Sequence, residues 1–253
     1  MAPVAVDHSG SPTGSRNALL LSRVAQAGKS LLTLNRDREY SILAAMLALR
    51  ATDIVLDAGS GDGFWTMRLA KKCARITGLE PDHKTLNFAR MLHRRCNLTY
   101  VCGLGEALPF PDHSFDKIVS ISCLEHFADP LEGLKEMARV LKPGGRVALS
   151  VDSLLPENSL LSFRDWHKRR HLVTTYFSHE ALIGMMASVG FKCESERTVH
   201  LFRSRLASRL RQLFIRHPRR WLPLFPVLYG AVRLADLAVN DMHGQIIIVT
   251  ATR

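Results

Sequence analysis

Short apolar runs and amphipathic stretches alternate along most of this 253-residue chain. The apolar runs predict buried strands at 54–56, 73–79, 98–103, 117–122, 146–151, 191–199 and 244–251. Helical spacing of apolar residues predicts helices at 37–49, directly after Gly63, and at 81–95, 131–141 and 177–190. The length fits one α/β domain with an added segment.

The first predicted strand runs into a glycine-rich turn, which indicates a ligand site at the carboxyl end of a sheet. A dinucleotide-binding loop needs G-x-G-x-x-G, but Phe64 and Thr66 occupy the two positions where the third glycine would fall. A glycine-rich turn without a ligand is the plain alternative. The observed pattern is D-x-G-x-G-x-G, formed by Asp57, Gly59, Gly61 and Gly63.

A carboxylate ends the second predicted strand. Glu80 follows Gly59 by 21 positions, and an acid about this far along accepts hydrogen bonds from ribose hydroxyls in nucleotide-binding α/β folds. Its two oxygens match two parallel donors, and the negative charge strengthens each bond. The spacing therefore predicts that Glu80 binds a ribose.

Three longer phrases accompany the glycine turn: GLGEALPF at 103–110, FPDHSFDKIVSISCLEHFADP at 110–130 and VLKPGGRVALS at 140–150. Together they resemble the class I S-adenosylmethionine-dependent methyltransferases, and most of all the small-molecule type of quinone and natural-product biosynthesis. The resemblance covers about 36–200 and 241–253. It implies an α/β, Rossmann-like sheet of seven mostly parallel strands with an antiparallel last strand, helices on both faces, and a helical insertion before that strand.

The resemblance also implies S-adenosyl-L-methionine as the cofactor and assigns residues to it. Glu80 would bind the ribose, and Asp57 would fix the glycine loop or the amino group. Leu104 stands where many members carry an acid for the adenine amino group, so backbone groups would serve on that side. The cofactor-binding residues implied are Asp57, Gly59, Gly61, Gly63, Glu80, Gly105, Glu106 and Ser122.

The methyl acceptor is expected just beyond the fourth strand. His126 lies there and is the candidate catalytic base, because an unperturbed histidine titrates near neutral pH; the alternative is a scaffold role. The segment after the fifth strand would line the acceptor pocket with His167, His171 and Tyr176, each of which could instead only pack. Tyr40 is either a neighbour of the methionine moiety or a packing residue.

Positive charge is concentrated in one segment. The net charge is +11, and residues 201–240 contain eight arginines and one aspartate, which indicates a contact surface. Leu206, Leu210, Leu213 and Phe214 follow one helical face, with Arg203, Arg205, Arg209, Arg211 and Arg216 around it and an aromatic, proline-rich stretch behind. An anionic membrane surface, a lid or dimer helix packed on protein, and RNA are the three alternatives.

These observations predict three parts: a flexible tail and helix at 1–35, a methyltransferase domain at 36–200 plus 241–253, and a basic apolar helical insertion at 201–240. The expected reaction is methyl transfer to oxygen, nitrogen or carbon of a small acceptor, with an apolar, lipid-like acceptor included. RNA methylation and an inactive cofactor-binding assembly protein are the alternatives. Five scattered cysteines indicate reduced thiols and no zinc site, and a cytoplasmic location, with or without membrane association, is expected.

Overall fold

A computed structural model describes residues 34–194, 197–239 and 243–253, so the tail predicted at 1–35 lies almost entirely outside the described residues. Its strands form one sheet. They are β1 (Ile54–Ala58), β2 (Arg75–Glu80), β3 (Leu98–Cys102), β4 (Phe115–Ile121), β5 (Leu141–Asp152), β6 (Lys192–Cys193), β7 (Val199–Leu201) and β8 (Ile246–Thr252).

The strand order is β3-β2-β1-β4-β5-β8-β6, with β7 also paired to β8. Strands β1 to β5 pair in parallel, and β8 runs antiparallel to β5, as predicted. The strand predicted at 191–199 is two short strands, because Cys193 pairs with Ala251 but Val199 pairs with Ile248. The pairing register against β8 therefore differs by three residues between β6 and β7.

Helices cover both faces of the sheet, which confirms the predicted layers. Leu134 and Met186 contribute to the core on one face, and Leu43, Phe214 and Val232 contribute to the core on the other. The helices are α1 (Arg36–Leu47), α2 (Phe64–Leu69), α3 (His83–Leu92), α4 (Pro130–Val140), α5 (Leu161–His171), α6 (His179–Ser188), α7 (Arg205–Arg216), α8 (Pro218–Trp221) and α9 (Phe225–Leu237).

The basic insertion packs on the α1 side of the sheet. Asp236 of α9 forms an ion pair with Arg38 of α1 at 2.7 Å, and the Tyr229 hydroxyl donates to Asp37 at 2.6 Å. Sequence analysis placed Arg211 among the charges around an apolar face. It is instead buried, and its Nη2 donates to Asp152 Oδ1 at 2.8 Å, because its position on α7 faces the carboxyl end of β5.

Candidate active site

A cavity of about 510 Å³ opens at the carboxyl ends of β1, β2 and β4. Parallel strands end together at this edge, so residues distant in sequence meet there. Its lining includes seven of the residues predicted from sequence: Gly59, Gly61, Glu80, Gly105, Glu106, Ser122 and His126.

The glycine loop is fixed to the end of β2 by its own backbone. The amide of Gly59 donates to the Leu79 carbonyl at 3.0 Å, and the amide of Gly61 donates to Glu80 Oε2 at 3.1 Å. Gly59 has φ +88°, and a Cβ there would lie 2.1 Å from Cys123 Sγ. A Cβ on Gly61 would meet nothing within 4 Å, so the loop borders open space at Gly61.

Glu80 connects the glycine loop to the turn that begins α3. Its Oε2 accepts from the Gly61 amide, and its Oε1 accepts from the Asp82 amide at 3.0 Å. A carboxylate oxygen has more than one lone-pair site, so both oxygens can accept further bonds from the cavity side. Backbone donors on both oxygens hold the carboxylate in one orientation.

Asp57 and Gly63 lie behind the loop rather than on the cavity wall. Asp57 is buried and accepts from the Thr66 hydroxyl at 2.6 Å. Burial raises the pKa of Asp57 to about 7, the Thr66 bond opposes this rise, and the nearby Glu80 carboxylate adds to it. Gly63 adopts φ +78° directly before α2, where a Cβ would lie 2.2 Å from Tyr100 Oη. Both residues shape the loop from below.

The opposite wall is held together by Glu106 and Phe127. Glu106 Oε1 accepts from the Ala128 amide at 2.8 Å, so this side chain ties the β3–β4 connection to the loop after β4. Gly105 lies on the Phe127 ring, and a Cβ would come within 2.1 Å of it. Leu104, exposed at the cavity rim, adds an apolar side chain to this wall.

An ion pair of α1, in which Glu39 is buried and Arg36 is partly exposed, supports the end of β4, and sequence analysis did not predict it. Ser122 adopts φ +44°, and its hydroxyl donates to Glu39 Oε1 at 2.8 Å. Arg36 lies 3.5 Å from Glu39 and also lines the cavity. Burial alone would lower the pKa of Arg36, but the Glu39 and Asp152 carboxylates raise it. A basic and an acidic residue three positions apart at the start of α1 were the available signal.

Tyr40 packs within the protein core. Its ring stacks on Trp65 with 4.7 Å between the centroids, and the Arg68 guanidinium lies 5.5 Å from the Tyr40 ring centre. Tyr40 is buried. These contacts give it the packing role that sequence analysis left open.

His126 lies at the cavity rim, in a short 3₁₀ turn after β4. Its Nδ1 is 3.4 Å from the Leu172 carbonyl oxygen, and its side chain is exposed. Because a carbonyl oxygen can only accept, this contact places the proton on Nδ1 and leaves the lone pair on Nε2. A neutral imidazole of this tautomer can accept a proton.

The other predicted acceptor-side residues form one cluster at the end of β5. His167 Nδ1 lies 3.0 Å from the Tyr176 hydroxyl, its Nε2 lies 3.7 Å from Asp152 Oδ2, and its ring centroid is 4.5 Å from that of His171. Burial lowers the pKa of His167 to about 4, although Asp152 opposes this. Glu125 is also buried, and burial followed by repulsion from Asp152 raises its pKa well above the usual range.

The groups that line the cavity suit a nucleoside with a charged amino-acid arm. Glu80 offers acceptors for a hydroxyl pair, and the open space beside Gly61 leaves room for a ligand against the backbone. Leu79, Ile121 and Phe127 supply an apolar surface for a flat ring. The residues present therefore fit S-adenosylmethionine.

Comparison with known proteins agrees with this geometry. Residues 56–149 match the family described as a methyltransferase domain. The chain is 37% identical over 135 residues to the demethylmenaquinone methyltransferase of Tropheryma whipplei, covering 51% of this chain and 56% of that protein. It is 36% identical over 119 residues to the 27-O-demethylrifamycin SV methyltransferase of Amycolatopsis mediterranei, covering 45% and 44%.

The chain thus spans about half the length of the curated relatives it matches. Among solved structures, an S-adenosylmethionine-dependent methyltransferase from Mesorhizobium loti superimposes with a TM-score of 0.64 at 19% identity, covering 85% of this chain and 97% of that one. This similarity concerns the fold.

Proposed function

Since the chain carries a class I S-adenosylmethionine-dependent methyltransferase domain, we propose that it transfers a methyl group to oxygen, nitrogen or carbon of a small acceptor. The observation that carries this proposal is the cavity that joins the glycine loop, Glu80 and His126. S-adenosylmethionine supplies a methyl group already activated by its sulfonium charge, so the protein's main task is alignment.

The chain's own residues divide this task. Glu80 binds the ribose hydroxyls, while the backbone of Gly59 and Gly61 faces the amino-acid arm. The apolar wall around Phe127 excludes water beside the adenine. Nε2 of His126 accepts a proton from the acceptor when the reacting atom carries one. His167, with its lowered pKa, stays neutral at pH 7 and lines the acceptor side without adding charge.

The test is incubation of the protein with methyl-labelled S-adenosylmethionine and separate lipid, RNA and protein extracts. Label in the small-molecule or lipid fraction is expected. Label in RNA would support the RNA methyltransferase alternative, which the arginine content favours. Binding of the cofactor without label in any fraction would support an inactive assembly protein.

In the same assay, His126→Ala is expected to lower turnover at least about tenfold while cofactor affinity stays unchanged, since general-base catalysis contributes roughly 10²–10⁴-fold.

The insertion supports a second, finer part of the proposal, an anionic membrane surface that presents an apolar acceptor. None of the described helices is long and apolar enough to cross a bilayer. Phe214 is turned into the core, but α8, α9 and their connection leave a row of apolar side chains between 43% and 77% exposed, namely Leu222, Leu224, Val227, Leu234 and Leu237. Arg216, Arg219, Arg220 and Arg233 are exposed around them, a combination typical of interfacial helices.

Vesicle co-sedimentation tests this surface. We expect binding to phosphatidylglycerol vesicles and at least about tenfold less to phosphatidylcholine vesicles, because each arginine near an anionic surface contributes about 1 kcal/mol. Val227→Glu with Leu234→Glu should abolish binding, whereas Met91→Glu, which also places an acid at an exposed apolar position but on α3, should not. Binding that ignores lipid charge, or survives the double substitution, would contradict the proposal.

A further inference from the structure

A second cavity lies away from the methyl-transfer site, between the loop after β5 and the amino end of α7. Its volume is about 480 Å³. Three arginines line it, Arg203, Arg205 and Arg209, together with Ser208 and Asn158. Among the described residues of the lining, Glu157 is the single carboxylate against these three arginines, so positive charge predominates there.

Two of these arginines are available to a ligand. Arg205 and Arg209 are one helical turn apart and exposed, and neither side chain forms a hydrogen bond or an ion pair with any residue in the described ranges. Unlike them, Arg211 on the same helix already forms an ion pair with Asp152. The first two turns of α7 therefore present two guanidinium groups that form no contact on which the fold depends within the described residues.

Arg203 is held in place differently. Its Nη2 donates to the Asp236 backbone carbonyl, and its backbone amide donates to Asp236 Oδ1 at 2.8 Å. Nε of Arg203 is buried and makes no hydrogen bond within the described part of the chain. The Arg203 guanidinium is thus held in place by Asp236, while its Nε–H remains a donor without a partner among the described residues.

The facing wall is built from a hydrogen-bonded loop. Asn158 Nδ2 donates to the Ser153 carbonyl at 2.8 Å, and the Asn158 carbonyl accepts from Gln245 Nε2 at 2.9 Å. Gln245 Oε1 in turn accepts from Arg211 Nη1 at 3.2 Å. These bonds fix the width of the cavity, so the arginines face a defined space.

From this geometry we infer that the cavity binds a phosphate or diphosphate group. Guanidinium forks pair bidentately with phosphate oxygens. The amino end of the twelve-residue α7 adds a favourable dipole and backbone donors. The inference does not depend on the proposed methyl transfer, and the group can come from a soluble phosphorylated compound or from a phospholipid.

Calorimetric titration with inorganic diphosphate tests the inference on the full chain. Saturable binding by the wild type is expected, with at least about tenfold weaker binding by Arg205→Gln with Arg209→Gln. The matched control is Arg219→Gln with Arg220→Gln, two exposed arginines of α8 outside the cavity. Unchanged melting temperatures show that all variants fold.

The outcomes of this titration separate clearly. Equal loss in the control pair, or equal binding of chloride at the same ionic strength, would overturn the inference as nonspecific attraction. Saturable binding lost only in the cavity variant supports it. In that case, weaker binding to phosphatidic acid vesicles by the Arg205→Gln, Arg209→Gln variant than by the wild type identifies a lipid headgroup as the ligand. Equal vesicle binding by these two proteins identifies a soluble phosphate compound.

Discussion

Replacing Glu80 with alanine is expected to weaken binding of S-adenosylmethionine at least about 100-fold. Hydrogen bonds to a charged group contribute roughly 1.5–3 kcal/mol each, and the two oxygens of Glu80 face the cavity that would hold the ribose. Losing two such bonds amounts to about 3 kcal/mol or more, at about 1.4 kcal/mol per factor of ten. Isothermal titration calorimetry measures the affinity directly.

Two further variants separate binding from loop structure. Glu80→Gln keeps one acceptor oxygen but cannot accept from both the Gly61 and Asp82 amides, so an intermediate loss is expected. Glu132→Ala is the control, because Glu132 forms a surface ion pair with Lys135 outside the cavity. An affinity of Glu80→Ala within about threefold of the wild type, a difference of only about 0.6 kcal/mol, would contradict the assignment of the cavity to this cofactor.

The second large effect concerns stability and pH. The pKa of Asp57 is raised from 3.8 to about 7, chiefly by burial, so the folded protein keeps a proton that the unfolded chain releases. Stability from this group is therefore greatest below about pH 4 and falls as pH rises toward 7. At 1.36 kcal/mol per pKa unit, the total loss is about 4 kcal/mol.

Asp57→Asn removes that titration while keeping an acceptor for Thr66. Chemical denaturation between pH 4 and pH 8 measures the free energy of unfolding. Relative to the wild type, this free energy should rise by about 4 kcal/mol for the variant over this range. Asp112→Asn is the control, because hydrogen bonding to Arg139 lowers the pKa of Asp112 instead of raising it. The wild type loses the stability that Asp112 contributes as the pH falls into the acidic range, so the two proteins should differ in their pH dependence only there. Parallel stability curves for the wild type and the Asp57→Asn variant would contradict a buried, protonated Asp57.

Local sequence patterns were sufficient to predict the sheet and the part of the site formed by the glycine loop and Glu80. Apolar runs located the strands, and the spacing from Gly59 to Glu80 brought both to one cavity because the two are carried by adjacent parallel strands. The division of the sixth strand was not predicted, because a shift of three residues in the pairing register leaves no mark in the pattern of apolar residues.

The remaining part of the site, including Arg36, depends on tertiary contacts, and the periodicity of apolar residues does not predict them. Arg36 reaches the cavity only because α1 packs across the end of β4. Arg211 looked like one of many surface arginines, and only the fold shows that it neutralises Asp152. The same helical spacing of leucines fits both a packed and an exposed face, and the structure divides them, with Phe214 inside and Leu213 outside.

The buried bond between Arg211 and Asp152 has a consequence for protein engineering. It couples the terminus of a central strand to a segment that would otherwise be an obvious module to exchange between homologues. A chimera that imports a foreign segment without an arginine at this site leaves a carboxylate stranded in the interior, which typically costs about 3–5 kcal/mol. Grafting therefore requires that both positions be transplanted together, or that Asp152 be made neutral in the recipient.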